Sequence, residues 1–190
     1  VGYRGRIVND IHSQLNETCV AQVVTPQSIA ELCATVRFAR AIGLPVCVAG
    51  GWHAMGGQQF ATGAVLVDMV ELNRIITFDP NRRLIEVEAG IRWPELIAWL
   101  VDAQAGQLEQ LGIAQKQTGA DRLSLGGALS ANIHGRGLTM RPFIDDVESF
   151  TLIDAEGEIR ICSRTENSEL FRLAIGGYGL FGIIATVRLR

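Results

Sequence analysis

Two of the three histidines in this chain lie inside glycine-rich segments, where an imidazole could sit beside a bound ligand. His53 belongs to residues 48–58, a segment with two Gly-Gly pairs and no Lys or Arg. Successive backbone N–H groups of a glycine-rich turn can converge on an anion, so this segment could hold a diphosphate without a basic side chain. The alternative is a sharp turn between two strands, with His53 simply hydrogen-bonded inside it.

His134 belongs to a second segment, residues 117–135, in which small residues alternate with polar ones. Because Gly126 and Gly127 have no β-carbon, a flat ligand or another stretch of backbone could lie directly against them. The alternative is a tightly packed helix of small residues. Two separate segments that each combine small residues with a histidine favour one shared ligand site over two unrelated turns.

A third segment, residues 176–184, contains the spacing Gly-x-Gly-x-x-Gly from Gly177 to Gly182. A Rossmann dinucleotide site needs a strand before this spacing, a helix after it and an acidic residue about 20 positions later. Here a predicted helix precedes the glycines and a β-like apolar run follows them. The segment is therefore not an NAD fingerprint, and the chain contains neither a P-loop nor the short sequence motifs of serine or zinc hydrolases.

The elements that position these segments change in type along the chain. In the first third, Thr25 and Pro26 predict the start of a helix, and Gly43 predicts its end. Residues 45–49 and 64–68 are short apolar runs that predict buried strands. This order of strand, helix, strand, glycine-rich loop and strand indicates a small parallel α/β unit.

The rest of the chain is predicted to contain antiparallel strands and short helices. Turn residues between apolar runs predict two hairpins. The predicted elements are hairpins 75–78 with 84–88 and 147–153 with 158–162, helices 94–103 and 168–174, and a last strand at 182–189. We therefore expect a two-lobed α+β fold, with a small parallel α/β lobe over about residues 16–70 and an antiparallel lobe over 71–190.

Length and composition limit the class of protein. The 190 residues are 48% hydrophobic and 19% charged, which is enough apolar surface for a packed core. A net charge of −3 with scattered basic residues argues against nucleic-acid binding. No apolar run approaches the ~20 residues that cross a bilayer, and four isolated cysteines argue against a zinc site.

The two ends of the sequence add two expectations. No basic-then-apolar segment opens the chain, from which we expect a cytoplasmic protein. The sequence begins without Met and ends inside a predicted strand, from which we expect a piece of something longer.

The three glycine-rich segments, in this order, resemble the FAD-binding domain of the vanillyl-alcohol oxidase and p-cresol methylhydroxylase flavoproteins. The resemblance extends from about Asn16 to Arg190 and is strongest to aldonolactone oxidases, alditol oxidases and decaprenylphosphoryl-ribose oxidase. Each segment alone is common, whereas the combination is specific. The resemblance implies that FAD lies between the two lobes.

The resemblance also implies which residues contact the cofactor. The first loop would wrap the FAD pyrophosphate with backbone amides, and His53 occupies a position whose imidazole is bonded covalently to the flavin in many members. The second segment would line the flavin ring and ribityl chain, and the last strand would add one backbone contact. The implied cofactor-binding residues are Ala49, Gly50, Gly51, Trp52, His53, Ala54, Met55, Gly56, Gly57, Gln58, Gly119, Ser124, Leu125, Gly126, Gly127, Ala131, Asn132, Ile133, His134 and Ile184.

Two residues depart from the family pattern in the first loop. Trp52 stands where Gly is common and Ala54 where Ser is common, so we expect the loop to differ in conformation. The second segment lacks the Cys of doubly linked members, so the resemblance implies at most one covalent link.

The function implied by the resemblance is an FAD-dependent oxidoreductase that takes a hydride from a hydroxyl-bearing carbon of a sugar, polyol or lactone. In this family the substrate-binding and proton-accepting residues usually come from a second domain, expected after residue 190, so no catalytic base is assigned. Two alternatives remain open: a reductase of the same fold that holds FAD without a covalent bond, and a non-catalytic nucleotide-binding module. His12 lies outside the glycine-rich segments and carries no predicted role.

Overall fold

The computed structural model describes residues 5–116, 120–135 and 142–190. Helices and both parallel and antiparallel sheets are present, which confirms the α+β class. The strands are β1 (Arg6–Val8), β2 (Thr18–Val20), β3 (Gln22–Val24), β4 (Val46–Ala49), β5 (Val65–Asp68), β6 (Ile75–Asp79), β7 (Leu84–Glu88), β8 (Val147–Ile153), β9 (Ile159–Ser163) and β10 (Ile183–Leu189). The α-helices are α1 (Ile29–Ala41), α2 (Trp93–Ala103), α3 (Leu125–Ser130) and α4 (Ser168–Ala174).

The parallel sheet has the order β3-β5-β4, with Val46 of β4 opposite Val65 of β5. Every residue of β5 except its last is fully buried, as expected for the central strand of a sheet covered on both faces. Helix α1 begins later than the sequence predicts. Its N-cap is Ser28, whose hydroxyl accepts a hydrogen bond from the Glu31 amide at 3.2 Å, and not Thr25.

The antiparallel sheet has the order β6-β7-β10-β8-β9, so β10 lies at its centre. Both predicted hairpins are present, and the turn between β8 and β9 is closed by Asp154, which accepts backbone hydrogen bonds from Glu156 and Glu158. The bounds of α4 agree with the prediction, and α2 begins one residue earlier than predicted. The short antiparallel pair β1-β2 was not predicted.

Helix α1 is tied to the hairpin of the other sheet. Arg37 donates a hydrogen bond from Nη1 to the carbonyl of Gly157 at 2.7 Å. The large hydrophobic core likewise combines α1 and β5 with α2, α3 and the antiparallel strands, and its largest fully buried side chains include Trp93, Phe143 and Phe150. The two sheets therefore share one core.

The described residues contain free cysteines, and they include neither a metal-ligand cluster nor a helix that could span a membrane. Cys33 and Cys162 are buried, Cys47 is half-buried and Cys19 is exposed, all as free thiols. Across the described ranges, no cluster of His, Cys, Asp and Glu could hold a metal ion. None of the helices in those ranges has the length and apolar character of a membrane span.

Candidate functional site

A cavity of about 420 Å³ lies between the two sheets. Three stretches that are far apart in the sequence line it: the loop that follows β4, the start of α3 with the residue before it, and the glycine-rich approach to β10. Its lining comprises Val48, Gly50, Gly51, Trp52, His53, Ala54, Met55, Gly56, Gln58, Gln59, Met69, Ala89, Leu123, Ser124, Gly126, Gly127, Ser130, Ala131, Ile133, Tyr178, Gly179, Gly182, Ile183 and Ile184.

A second cavity of about 570 Å³ adjoins the first. The two share lining residues from β4, from the following loop and from the approach to β10, with Gln58 and Tyr178 among them. Each volume lies within the range of about 300–1,000 Å³ that is typical of small-molecule sites. Together the two adjoining cavities form the cleft.

The glycines of the first loop are required by the close approach of neighbouring main chain. A β-carbon on Gly51 would lie 2.5 Å from the carbonyl oxygen of Arg122, and one on Gly50 would lie 1.9 Å from the Ser124 hydroxyl. A β-carbon on Gly126 would lie 3.0 Å from that of Ala89. Because these glycines bring the loop directly against the backbone before α3, two of the predicted segments meet at the cavity wall.

His53 lines the cavity and contacts His12, which lies 41 positions earlier in the chain. The Nδ1 atom of His53 is hydrogen-bonded to Nε2 of His12, and the ring centroids are 4.4 Å apart with a 52° tilt. The other nitrogen of His53, Nε2, is buried and has no hydrogen-bond partner within the described ranges. One imidazole therefore lies in the wall of the cavity, and a second, that of His12, contacts it from outside the lining.

The surroundings of His53 favour its neutral form. Burial lowers the pKa of His53, and the neighbouring His12 and Arg92 lower it further because a second positive charge close by is unfavourable. The Arg122 carbonyl opposes part of this lowering, although it does not reach hydrogen-bonding geometry with the ring. At neutral pH the imidazole therefore carries an unprotonated nitrogen.

Residues 9–16, here called the N-terminal strap, fasten the first loop from outside. The Ile11 amide donates to the Trp52 carbonyl at 3.1 Å, and the Asn16 side-chain amide donates to the Met55 carbonyl at 2.7 Å. The strap itself is organised by Asp10, which is 1% exposed and accepts hydrogen bonds from the backbone and hydroxyl of Ser13. The loop is thus held on one side by the strap and on the other by the backbone before α3.

Trp52 adopts a left-handed backbone conformation, with φ of 61°. This conformation is costly for a bulky residue, so neighbouring contacts must hold it in place. The Trp52 ring packs against Phe60 with centroids 5.7 Å apart. Burial raises the pKa of Asp68 at the end of β5, and the Trp52 indole offsets part of that rise. The backbone at Trp52 therefore has a conformation that glycine would adopt without strain.

The structure brings most of the sequence-predicted residues together and leaves others apart. Those that line the first cavity are residues 50–56, Gln58, Ser124, Gly126, Gly127, Ala131, Ile133 and Ile184. Leu125 is buried in the large hydrophobic core, and Ala49 is buried in a smaller cluster with Val8, Val20 and Leu66. Gly57, Asn132 and the exposed His134 also lie outside the lining. Gly119 lies outside the described residues.

Several lining residues were not found from the sequence. Gln59 is 7% exposed and its side-chain nitrogen has no hydrogen-bond partner within the described ranges. Ser130 and Tyr178 meet across the cavity wall, where the Tyr178 amide donates to the Ser130 carbonyl at 3.0 Å. Their positions beside Gly-Gly pairs were a usable signal, whereas nothing local in the sequence points from His12 to His53.

Comparisons with known proteins agree with this geometry. A sequence family described as an FAD binding domain matches residues 20–163. An uncharacterised oxidoreductase from the fasciation locus of Rhodococcoides fascians is 34% identical over 172 residues, which cover 88% of this chain and 37% of that protein. Cytokinin dehydrogenase 4 of Oryza sativa subsp. japonica is 33% identical, with coverage of 89% and 32%. L-gulonolactone oxidase of Bos taurus is 29% identical, with coverage of 90% and 37%. The chain spans about a third of the length of these relatives.

Proposed function

The chain belongs to the FAD-binding domain family of the p-cresol methylhydroxylase type, and from that premise we propose that it forms the cofactor-binding part of an oxidoreductase. FAD is its cofactor. The proposed reaction is oxidation of a hydroxyl-bearing carbon in a sugar, polyol or lactone. The observation that carries the proposal is one cleft lined by three segments between residues 48 and 184. Several glycines on its wall occupy positions where a β-carbon would collide with neighbouring atoms.

The residues present fit FAD in size and in chemistry. The loop after β4 has no basic side chain between Ala49 and Gln58, so a diphosphate there would be held by backbone N–H groups, as glycine-rich turns can do. A β-carbon on Gly50 or Gly51 would collide with neighbouring atoms, so glycine is required at this part of the wall of the first cavity. The adjoining cavities would receive the two ring systems of the dinucleotide.

When bound, FAD supplies the hydride-accepting chemistry, and the protein supplies orientation and electrostatics. The residues of this chain form the walls of the cleft: small side chains at Gly126 and Gly127 permit close approach, while Met69, Ile133 and Ile184 provide an apolar surface. His53 is kept neutral by burial and by its neighbours. We propose His53 as the site of covalent attachment of FAD, because its imidazole lines the cavity and its Nε2 has no hydrogen-bond partner within the described ranges.

Substrate recognition is assigned in this proposal to a further domain of the longer protein. The curated relatives are about three times the length of the matched region, which supports a partner domain that would supply the substrate-binding and proton-accepting groups. The lactone substrate class is supported by the similarity to L-gulonolactone oxidase. A second candidate, a dehydrogenase of a cytokinin-like compound, is supported by the 33% identity to cytokinin dehydrogenase 4.

The cofactor proposal is tested by titrating the purified chain with FAD and then precipitating it with acid. We expect saturable binding with quenching of flavin fluorescence, and yellow colour that remains with the precipitated polypeptide. His53→Ala should release the flavin to the supernatant while part of the binding persists. Flavin that stays attached in this variant contradicts the assignment to His53, and a wild-type chain that never binds FAD contradicts the proposed function.

The substrate proposal needs the full-length protein. We expect this protein to oxidise aldonolactones or polyols. The measurement is the loss of flavin absorbance when the substrate is added under anaerobic conditions. Bleaching by a cytokinin and not by any lactone, sugar or polyol would favour the second candidate.

A further inference from the structure

The backbone around His12 is fixed to the loop that it touches. The His12 amide donates to Asp10 at 3.0 Å, and the preceding Ile11 amide donates to the Trp52 carbonyl at 3.1 Å, one residue before His53. Asp10 is almost fully buried and accepts further hydrogen bonds from Ser13 and Asn16. The contact between the two imidazoles is therefore built by the strap and is not a chance approach of two surface side chains.

The contact requires one proton between the two rings, since one nitrogen must donate and the other must accept. A β-carbon placed on Gly51 would lie 2.5 Å from the Arg122 carbonyl oxygen and 2.9 Å from Cδ2 of His53, the ring carbon bonded to Nε2. The Nε2 edge of the ring is therefore the edge on the side of this carbonyl. A carbonyl oxygen attracts an N–H group and repels a lone pair. The proton of His53 is therefore assigned to Nε2, which leaves Nδ1 as the acceptor.

We propose that His12 is a positioning residue of the FAD site: its Nε2–H donates to Nδ1 of His53 and holds that ring in one tautomer and one orientation against the cavity. The importance of this orientation for the cofactor rests on the proposed function. The hydrogen bond itself does not, because it is argued from the contact between the two rings and from the strap that holds His12.

The charges around the pair support a single shared proton. Arg92 and Arg122 both disfavour a positive charge on His53, and a second proton would place two N–H groups against each other. The carboxylate of Asp68 is in contact with Trp52, and the positive charge of Arg92 offsets part of the rise in its pKa that burial causes. The Asp10 carboxylate accepts hydrogen bonds from Ser13, from the Asn16 side chain and from the His12 amide, all of which belong to the strap. The neutral form of His53 is therefore the form that these surroundings favour.

The test uses histidine side-chain nitrogen NMR on the FAD-free chain. In the wild type we expect a scalar coupling between Nε2 of His12 and Nδ1 of His53, with the His53 proton on Nε2. In His12→Ala the coupling disappears and the pKa of His53 rises, because the variant lacks both the donated hydrogen bond and the neighbouring imidazole. His12→Gln retains a side-chain N–H donor and should keep the pKa of His53 near its wild-type value. Leu15→Ala, an exposed change in the same strap, is the matched control and should leave His53 unchanged.

Two cofactor measurements complete the test. His12→Ala should weaken FAD binding by about fivefold, the scale of one lost hydrogen bond, and should reduce the flavin retained after acid precipitation, whereas His12→Gln restores retention in part. A His53 proton on Nδ1, or a His53 titration unchanged in His12→Ala, overturns the proposal even if FAD binds normally. A chain that shows the coupling but binds no FAD leaves the hydrogen bond established, refutes the role of His12 in cofactor binding and also refutes the proposed function.

Discussion

At the scale of single residues, the site depends on the absence of β-carbons. Gly51 does not have a positive φ, so glycine is required at this position only because of a close contact. A β-carbon there would lie 2.5 Å from the Arg122 carbonyl oxygen. This carbonyl belongs to the main chain before α3 and cannot move away as the end of a flexible side chain can. The geometry of the cavity wall is therefore sensitive to the smallest substitution at this position.

Gly51→Ala should weaken FAD binding by at least about tenfold and destabilise the fold by about 1–3 kcal/mol, because the backbone before α3 must shift to admit the methyl group. Both are measured by FAD titration and urea unfolding. Gly112→Ala is the matched control, since a β-carbon there meets nothing within 4 Å; it should change stability by no more than about 0.5 kcal/mol. Equal behaviour of the two variants contradicts the close-contact argument.

At the scale of elements, the N-terminal strap links the stability of the loop to pH. Burial alone would raise the pKa of Asp10, but hydrogen bonds from Asn16, Ser13 and the His12 amide outweigh it and hold the pKa well below its usual range. A carboxylate with a depressed folded-state pKa stabilises the protein above its unfolded-state pKa, and that contribution is lost as pH falls through the folded-state pKa.

Asp10→Asn should lower the urea midpoint at pH 7, because the amide group brings a donor toward other donors. The difference from wild type should narrow as pH falls below about 4, where the wild-type contribution also declines. The measurement is urea unfolding between pH 3 and pH 7. The exposed Asp102 of α2 provides the control as Asp102→Asn. A gap that widens in acid is the result that contradicts this account.

The docking of α1 on the β8–β9 hairpin gives a second prediction at this scale. Gly157 has φ of +76°, and a β-carbon there would lie 2.9 Å from the Cys33 carbonyl of α1. Gly63 has φ of +71° but open space around it. Gly157→Ala should therefore cost about 2–4 kcal/mol of unfolding free energy, and Gly63→Ala only the backbone strain of about 1–2 kcal/mol. Equal losses would show that the contact with α1 contributes nothing.

Local signals in the sequence were enough for most elements but not for the strap. The turn ending at Gly157 and the apolar runs beside it predict the β8–β9 hairpin, because a turn depends on neighbours in the chain. The predicted start of α1 at Thr25 is wrong because two residues that can cap a helix, Thr25 and Ser28, lie three positions apart. Ser28 is the cap, and Glu31, three residues after it, supports this start by accepting a hydrogen bond from the Gln27 amide. His12 reaches His53 only through the folded chain, so no local pattern reveals their contact.

The same distinction applies to the cavity. Gly50, Gly51 and Gly126 were found because glycine pairs are visible in the sequence, and the family resemblance gave them a role. Leu125 belongs to the same glycine-rich segment, yet it faces the hydrophobic core because it lies on the inner side of α3. Which side of a short helix faces a ligand is decided by packing against other elements, and that information is not local.

At the scale of the whole molecule, both sheets contribute to one core and to one cleft, so ligand binding and folding are coupled. FAD at 100 times its dissociation constant should add about 2.7 kcal/mol to the free energy of unfolding and raise the Tm by about 5–10 °C. We also expect a single thermal transition, measured by calorimetry with and without FAD. Two separate transitions, of which FAD moves only one, contradict the shared core.

The central position of β10 bears on how the protein is made. The ribosome releases the first loop early, whereas Ile184 of β10 is the last of the lining residues to be synthesised. Because β10 lies between β7 and β8, the antiparallel sheet is complete only when β10 has joined it. A nascent chain therefore lacks a complete binding site until β10 has been synthesised, so the vitamin-derived cofactor meets all of its contacts only after translation of this region.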